Sequence, residues 1–578
     1  MIKYEKDLRD LLVRTIGKAA AFAISAAMLA PLIPFGTVAS AAETSVPQGS
    51  GTVEEPYQIG TAEELYWFAG LVNGTISGTE RNTAANAVLT ADITVNENVL
   101  TADYELNGDG SGFEKWTPIA FYATTATNTY PYTGTFDGNN HTISGLYCVS
   151  GGSNFGKGLF GGSEGVIKNV NVVDSYFNCR MNNTGAICGN NRGTVSGCSS
   201  RAYVTGTGSN VGGICGYNGN LITGCISNSL VCGSSTWVGG ICGNQGIEGS
   251  VINNSVNNGN VRATDIYTGG ICGALYSSNT SISNCVNNGD VYSKGNHVGG
   301  ICGILKVSNT SISNCVNNGD VYSKGNYVGG ICGYQESAST DPTIYNCANK
   351  GTVSSDGSYI GGICGIFRKI YNCYNCGGVS STKTGTLYIG NIGGMTTDLD
   401  STKFEPPSIK NCYYDSTVCK ESAVDTHARK YVSNTSGYST EEFKTGKVAY
   451  LLNENSSEGV WKQTIGSDTY PNFTGLTVYC DSTASPQYYN MKEYTNTVVK
   501  KITSNMTKDG SQATAVLSEI NLNRKTVQKV SWKYNAYSAE YDKTDISGQG
   551  TVYFGIVIPE LLEAEENSTI DDLKVTIE

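Results

Sequence analysis

The stretch SNTSISNCVNNGDVYSKGNHVGGICG, from Ser278 to Gly303, occurs again thirty residues later, from Ser308 to Gly333. The copies differ at one position only, where His297 is replaced by Tyr327. Each copy holds two short runs of Val, Ile and Tyr separated by Gly and Asn turns, a pattern that predicts short β-strands. One such unit cannot bury its own apolar face. The sequence therefore predicts a fold made by stacking units.

Degenerate copies of the unit extend over much of the chain. The triplet ICG recurs at intervals of 27, 27, 30, 30, 30 and 32 residues, with its cysteine at Cys188, Cys215, Cys242, Cys272, Cys302, Cys332 and Cys364. This period predicts an all-β, right-handed parallel β-solenoid in which equivalent residues stack about 4.8 Å apart. A β-propeller is disfavoured because its blades need about 40–45 residues. Each coil of a solenoid contacts only its neighbours, so a duplicated unit can be inserted without disturbing the rest.

The composition is typical of an extracellular all-β protein. The chain has 578 residues, of which 72 are Gly and 36 are Tyr, and only 15% are charged. The formal net charge is −12, and no run of Lys and Arg occurs after the first twenty residues. Because nucleic-acid binding needs clustered cations, this class of partner is excluded.

The first 41 residues have the pattern of a secretory signal peptide. The segment begins with basic residues and continues with an apolar core, which is followed by the small residues Ala39-Ser40-Ala41. The basic residues are Lys3, Lys6, Arg9, Arg14 and Lys18. Pro31 and Pro34 interrupt the apolar core, which argues against a membrane span, and no later segment is apolar enough to cross a bilayer. We expect an extracellular protein, secreted or associated with the cell surface, without a transmembrane segment.

The repeats also resemble a known family. VGGICGYNGNLITGCISN (Val211–Asn228) and its relatives resemble the GLUG repeats of bacterial surface proteins, whose core is G-G-x-x-G followed by I-x-N-C. The flanking segments Gly51–Gly74, Tyr132–Leu146 and Gly437–Asn453 are similar to those of the same family. The resemblance implies a β-solenoid of the kind found in adhesins and, as an accessory domain, in IgA-cleaving proteases.

Five parts follow from these patterns: a signal peptide (1–41), an N-terminal cap with the first coils (42–150), GLUG-like repeats (151–420), a C-terminal cap (421–482) and a small β-rich, Ig-like domain (483–578). Thr61 to Glu64 form a capping box, which predicts a helix closed by Asn73-Gly74. Ser439 to Glu442 form a second box, which predicts a helix through Leu451. We expect each helix to lie across an open end of the solenoid and to block strand addition there. Alternating segments after Cys480 predict a small β-sandwich.

Twenty cysteines would ordinarily predict disulfides in a secreted chain. Here the repeat places them in columns whose parallel Cβ atoms lie farther apart than the ~3.8 Å that a disulfide prefers. We therefore favour free, buried thiols, which pack as small hydrophobic groups. The alternative is a disulfide within one coil, such as Cys272 with Cys285. Cys373 and Cys376 form an isolated C-x-x-C without a second pair at zinc spacing, so we predict no metal site and no cofactor.

No catalytic motif is recognisable. The three histidines, His141, His297 and His427, form no H-E-x-x-H, and neither a nucleophile elbow nor a phosphate-binding loop occurs. Stacked carboxylates of Asp290 and Asp320, beside Lys294 and Lys324, would have the ~5 Å separation of a retaining glycosidase. The duplication of the unit accounts for this pair, and solvated turns are its simpler interpretation. We predict no catalytic residue; the alternative is a carbohydrate-active β-helix enzyme, a lyase or glycosidase.

One column could recognise a ligand. Aromatic residues precede the paired glycines of five successive units, and we call them the aromatic column: Trp237, Tyr267, His297, Tyr327 and Tyr359. An exposed column could stack on sugars or side chains, whereas a self-stacked one would stiffen the solenoid. We predict adhesion or display, with a host or bacterial surface glycan or protein as partner. A structural fragment of a longer surface protein is a further alternative.

Overall fold

The computed structural model describes residues 45–490 except 123–128, 151–155, 337–341, 397–405 and 456–458, and, beyond residue 490, the backbone of the strands between residues 492 and 577. The predicted signal peptide, 1–41, lies outside the described residues.

Each coil of the repeat contains five short strands. In one coil they are Val251–Asn253, Val256–Asn257, Val261–Ala263, Thr268–Gly269 and Cys272–Leu275. Every one of them pairs in parallel with the equivalent strand thirty residues on. The predicted parallel β-solenoid is confirmed. The sequence had indicated two runs in each unit; bends at Asn and Gly divide these runs into five strands.

The equivalent strands form five stacks, which we number in chain order within a coil. The first stack has thirteen strands: Tyr57–Ile59, Ala87–Leu89, Thr135–Asp137, Val166–Lys168, Thr194–Ser196, Leu221–Thr223, Val251–Asn253, Ser281–Ser283, Ser311–Ser313, Thr343–Tyr345, Lys369–Tyr371, Ser408–Lys410 and Val432–Ser433. The second stack contains Ile93–Thr94, Thr142–Ser144, Ile226–Ser227, Val256–Asn257, Val286–Asn287, Val316–Asn317, Ala348–Asn349, Tyr374–Asn375, Tyr413–Asp415 and Ser436–Tyr438. Two longer strands, Asn171–Cys179 and Ser199–Gly206, run through both the second and the third stack.

The third stack further contains Tyr147–Ser150, Leu230–Gly233, Val261–Ala263, Val291–Ser293, Val321–Ser323, Val353–Ser355 and Val379–Ser381. The fourth contains Thr184–Gly185, Val211–Gly212, Val238–Gly239, Thr268–Gly269, Val298–Gly299, Val328–Gly329, Ile360–Gly361 and Ile389–Gly390. The fifth contains Phe160–Ser163, Cys188–Asn191, Cys215–Asn218, Cys242–Gln245, Cys272–Leu275, Cys302–Leu305, Cys332–Gln335, Cys364–Ile366 and Gly393–Met395. The first and second stacks continue beyond the predicted end of the repeats at residue 420.

Aliphatic and thiol columns fill the interior of the coils. From Thr135–Asp137 to Ser408–Lys410, the central residue of each first-stack strand is buried; Ile252, Ile282 and Ile312, for example, pair in register and are fully buried. The cysteines of the ICG triplets also pair in register, as predicted. All twenty cysteines are free, and only Cys232 and Cys480 are partly exposed. The sulfur atoms therefore take the place that aliphatic side chains hold elsewhere in the core.

A second column of buried residues is polar. In the phrase VNNG the first asparagine points inward, and its Nδ2 donates to Oδ1 of the equivalent residue one coil on at 2.7–2.8 Å; the column is Asn257, Asn287, Asn317, Asn349 and Asn375. Each Nδ2 also donates to the carbonyl of the glycine two residues on. Apart from Oδ1 of Asn257, at the start of the column, the buried amide groups are thus paired, which removes most of the cost of their desolvation. A Cβ on Gly270 would lie 2.3 Å from Cγ of Asn287, which explains the second glycine of GGICG.

The N-terminal cap agrees with the sequence prediction. Helix α1, Ala62–Asn73, begins with the Thr61–Glu64 capping box and ends at Gly74, whose φ is 68°. Its buried side chains, such as Leu65 and Phe68, belong to the same hydrophobic cluster as the interior of the coils. The helix therefore closes the apolar core at this end.

The C-terminal cap differs from its prediction. The Ser439 capping box opens a short helix, α2 (Thr440–Lys444), and Gly446, with a φ of 86°, separates it from α3 (Lys447–Leu452). A single helix through Leu451 is therefore wrong. Phe443 of α2 packs 5.9 Å from Tyr374, a residue of the second stack, in a cluster separate from the main core. The two helices thus cover the outer side of the last coils. A 3-10 helix, Thr426–Tyr431, precedes them.

The strands near the C-terminus are antiparallel. Val478–Cys480 and Tyr488–Asn490 form a hairpin across the predicted boundary at residue 482. Strands in sheets of four, three and two follow: Lys492–Thr495, Lys574–Ile577, Lys529–Tyr534 and Tyr537–Asp542; Lys500–Ile502, Thr514–Leu517 and Gly555–Val557; Asn521–Leu522 and Gly550–Thr551. None of the helices in the described residues is long and apolar enough to span a membrane.

Candidate binding surface

The aromatic column lies at the turn that leads into the fourth stack. All five of its residues have a left-handed backbone, with φ between 61° and 65°. Their carbonyls accept hydrogen bonds from the preceding coil, as from Val238 N to Tyr267 O and from Thr268 N to His297 O, both at 3.0 Å. Two earlier coils have Asn183 and Asn210 here, the residue type that adopts this conformation most readily after glycine. Bulky aromatic residues at such a turn carry a conformational cost that their packing must offset.

The rings of the column stack on one another. Centroids are 6.4 Å apart between Trp237 and Tyr267, then 5.0 Å, 4.8 Å and 5.1 Å along the column to Tyr359. Tyr388 continues the stack at 4.7 Å with an interplanar angle of 14°. We call these six residues the aromatic ladder. Because neighbouring rings occupy each other's faces, the ladder presents its edges to solvent, and each of its residues is half-buried.

Two further tyrosines line the ladder. Tyr276 stands edge-on to Trp237, with centroids 5.6 Å apart, and Tyr334 stands edge-on to both His297 and Tyr327, at 5.4 and 5.5 Å. Lys306 follows the fifth-stack strand of the coil that lies between those of Tyr276 and Tyr334. Its ammonium group pairs with the carboxylate of Glu336. Glu336 raises the pKa of Lys306 through this pair. The border of the ladder is therefore aromatic with one neutralised ion pair.

Phenol hydroxyls follow the edge of the ladder. Within the described part of the chain, four of them make no hydrogen bond to protein, and none of the four is a buried atom: those of Tyr267, Tyr327, Tyr359 and Tyr388. Burial of the rings raises the pKa of Tyr267 and of Tyr359, so both hydroxyls stay protonated at neutral pH. The ladder therefore offers a row of hydrogen-bonding groups spaced by one coil each.

His297 interrupts this row. Its Nδ1 is buried without a hydrogen-bond partner, and burial together with the charge of Lys306 lowers its pKa to about 4. The imidazole is therefore neutral at physiological pH, and it stacks between Tyr267 and Tyr327 as a flat ring.

The carboxylates suggested as an acid–base pair have structural partners. Oδ1 of Asp290 accepts from the backbone N–H of Asp320 at 3.0 Å, and Oδ1 of Asp320 accepts from Thr352 N at 2.7 Å. Asn260 makes the same bond to Asp290 N in the preceding coil. The column ties each turn to the next. Burial raises the pKa of Asp290, and the neighbouring charge of Asp320 adds to this effect.

Other ionisable and thiol side chains have structural partners. His141 contacts Asp92 at 3.3 Å, and Asp137 binds Lys168 at 3.0 Å while accepting from Asn139 N, as a turn-former does. Cys373 belongs to the main core, whereas Cys376 belongs to the cluster under the C-terminal helices. In the described ranges, no three or more His, Cys, Asp or Glu side chains are placed to hold a metal ion.

Sequence reasoning missed Tyr388, Tyr276 and Tyr334. Tyr388 precedes Ile389-Gly390 as Tyr359 precedes Ile360-Gly361, so alignment of the degenerate last unit could have found it. Tyr276 and Tyr334 occupy positions that vary between units, and only the coil geometry brings them against the ladder.

Comparison with known proteins gives limited matches. No family model matches the chain, so membership of the GLUG repeats stays a prediction. A segment of 165 residues, 28% of the chain, is 34% identical to halomucin from Haloquadratum walsbyi and amounts to 2% of the length of that protein. The crystal structure of a candidate immunoglobulin A1 protease from Bacteroides ovatus is similar over 74% of this chain and 94% of its own, with 20% identity and a TM-score of 0.32.

Proposed function

We propose that this chain is an exported repeat protein that acts in adhesion or display at a cell surface, with the aromatic ladder as its binding surface. The observation that carries the proposal is the row of unbonded tyrosine hydroxyls along an ordered stack of rings. Surface phenols with an apolar body and a polar tip are frequent in recognition sites. The coils hold the rings at fixed spacing, so little side-chain entropy is lost on binding.

Export is supported by the sequence. The basic, apolar and small-residue order of the first 41 residues, the low charge and the high glycine content are those of secreted all-β proteins. The partner class is a glycan or protein of a host or bacterial surface.

The proposal contains no catalytic step. The carboxylates of Asp290 and Asp320 accept backbone N–H groups of the next coil, a role that accounts for their alignment. The alternative, a carbohydrate-active enzyme, requires that Asp290→Asn and Asp320→Asn abolish the release of reducing ends from a polysaccharide. We expect no release by the parent chain.

Adhesion is tested with beads that carry the full chain. We expect the beads to adhere to bacterial or epithelial cells, and soluble chain to compete for adhesion. Beads that carry the heat-unfolded chain are the control. If folded and unfolded chain adhere equally, or if neither adheres to any of the cells, the proposed function is wrong.

A further inference from the structure

We propose that the aromatic ladder binds an extended, neutral, β-linked polysaccharide that lies along the axis of the coils and contacts the ring edges. This inference rests on the proposed function and names its ligand class. It uses the hydroxyls of Tyr327, Tyr359 and Tyr388 as the central contacts, with Tyr267 beyond the interruption at His297.

Contact at the edges follows from the stacking. From Tyr267 to Tyr388 the ring centroids lie 4.7–5.1 Å apart, so no sugar ring can enter between two of them. A polymer beside the ladder meets carbon edges and phenol oxygens. A chain of hydroxyl-bearing rings can exchange hydrogen bonds with these phenols, which donate and accept.

The spacing discriminates between extended polymers. In an extended peptide, side chains on one side recur about every 6.6–6.8 Å, which does not match the distance between successive rings of the ladder. In an extended glycan with equatorial linkages, the length of one sugar along the chain is close to the 4.7–5.1 Å between successive ring centroids of the ladder. Successive sugars of such a glycan are turned by about half a rotation, so the same contact can recur at every second ring of the ladder, and weak contacts then add along the chain.

The charge of the surface favours a neutral glycan. Lys306 is paired with Glu336, and the imidazole of His297 is neutral, so the ionisable groups in contact with the rings carry no net charge. The Nζ atom of Lys383 donates to Oγ of Ser358, beside Tyr359, and places one cation near that end of the ladder. An acidic polysaccharide would be repelled by the net charge of −12, of which this one lysine offsets little.

The test removes hydroxyls and keeps rings. The double variant Tyr327→Phe/Tyr359→Phe retains the stack and deletes two exposed oxygens, so its melting temperature should equal that of the parent. His297→Tyr adds the missing hydroxyl and copies the residue that the twin unit carries at Tyr327. Tyr292→Phe is the matched control, because Tyr292 stacks on Tyr322 in the third stack, away from the ladder.

Binding of the full chain is measured by depletion onto regenerated cellulose and chitin, both β-linked, and onto amylose, which is α-linked. We expect retention on at least one β-linked polymer and none on amylose. The double variant should bind about tenfold more weakly, His297→Tyr about threefold more tightly, and Tyr292→Phe like the parent. Equal binding of parent and double variant, equal retention on amylose, or no retention on either β-linked polymer overturns the inference.

Failure of this test is distinguishable from failure of the proposed function. If the chain adheres to cells but does not bind either β-linked polymer, or binds them independently of the ladder hydroxyls, the proposed function stands and the proposed ligand class is refuted. A chain that binds a β-linked polymer through the ladder hydroxyls but adheres to no cell refutes the proposed function and supports this ligand class.

Discussion

The imidazole of His297 lies 4.8 Å from the phenol ring of Tyr327, at an interplanar angle of 23°, at the one position where the twin units differ. Both residues have the same left-handed backbone, with φ of 61° and 64°. The exchange preserves a flat ring in the stack while it replaces a phenol by a titratable group. The position therefore requires a flat ring on a left-handed backbone, but the polar group on that ring can differ.

His297 should make the stability of the protein depend on pH. Its pKa is lowered to about 4 in the folded chain, by burial and by Lys306, from an ordinary value of 6.5. The unfolded chain thus binds a proton at higher pH than the folded chain does, so the stabilisation is full above pH 6.5 and is lost as pH falls toward 4. At pH 4.5 we expect a loss of about 2 kcal/mol from this group.

The measurement is urea unfolding of the parent and of His297→Tyr at pH 7 and pH 4.5. Carboxylates contribute equally to both proteins, so the difference between them isolates His297. The variant should lose about 2 kcal/mol less than the parent. An equal loss in both would show that the imidazole is not held neutral in the ladder.

The buried asparagine column should contribute much more to stability than the exposed one beside it. Asn287 is fully buried, and it bonds Asn257, Asn317 and the carbonyl of Gly289. Asn287→Ala leaves Oδ1 of Asn317 and that carbonyl without their donor, and should lower the free energy of unfolding by about 3 kcal/mol.

Asn288→Ala is the matched control. Asn288 is exposed, and it makes the same type of amide bond to Asn258 and from Asn318, at 2.7 and 2.8 Å. Water replaces these bonds, so the change should stay within about 0.5 kcal/mol. Denaturant midpoints of both variants measure the difference; similar losses would contradict the role assigned to burial.

The coil architecture could be predicted from the sequence because it repeats. The spacing of ICG fixed which cysteines would pair, and the pairing of Cys272 with Cys302 agrees. The capping box that begins at Thr61 likewise predicted the start of α1, and Asn73-Gly74 predicted its end. Such features depend on local chemistry or on a period, and both are visible in one chain.

Other features depend on contacts between distant residues and were missed. Gly446 divides the C-terminal helix, and its neighbours Phe443 and Val448 pack on the outer side of the coils instead of across their end. Whether the aromatic column would face solvent was also open. The left-handed turn and the distance between coils together stack the rings of the column on one another and leave their edges exposed. Hydrophobicity alone does not indicate this arrangement.

The cysteines should all be reactive after unfolding without reductant. No disulfide joins any of the twenty, and burial raises the pKa of thiols such as Cys188, to about 12. Mass spectrometry after alkylation in denaturant should find every cysteine modified. In the folded chain, modification should be limited to the partly exposed Cys232 and Cys480. A sample reduced before alkylation is the control; a linked pair such as Cys272–Cys285 in the unreduced sample would refute free thiols.

Removal of one whole unit should leave the fold intact. Deletion of residues 278–307 joins Ser277 to Ser308, and the second copy then takes the register of the first, with Ser311–Ser313 on Val251–Asn253 in the first stack. Tyr327 replaces His297 above Tyr267, so the aromatic ladder stays continuous. Because each coil contacts only its neighbours, we expect cooperative unfolding and a melting temperature within a few degrees of the parent.

Deletion of residues 278–292 provides the contrast. It removes half a unit, so the strand Val298–Gly299 of the fourth stack would follow Leu275 where a first-stack strand is required. Inward positions would then receive outward side chains, and we expect aggregation or loss of the β-sheet signal in circular dichroism. If the fifteen-residue deletion folds as well as the thirty-residue one, the coil is not the unit of stability in this protein.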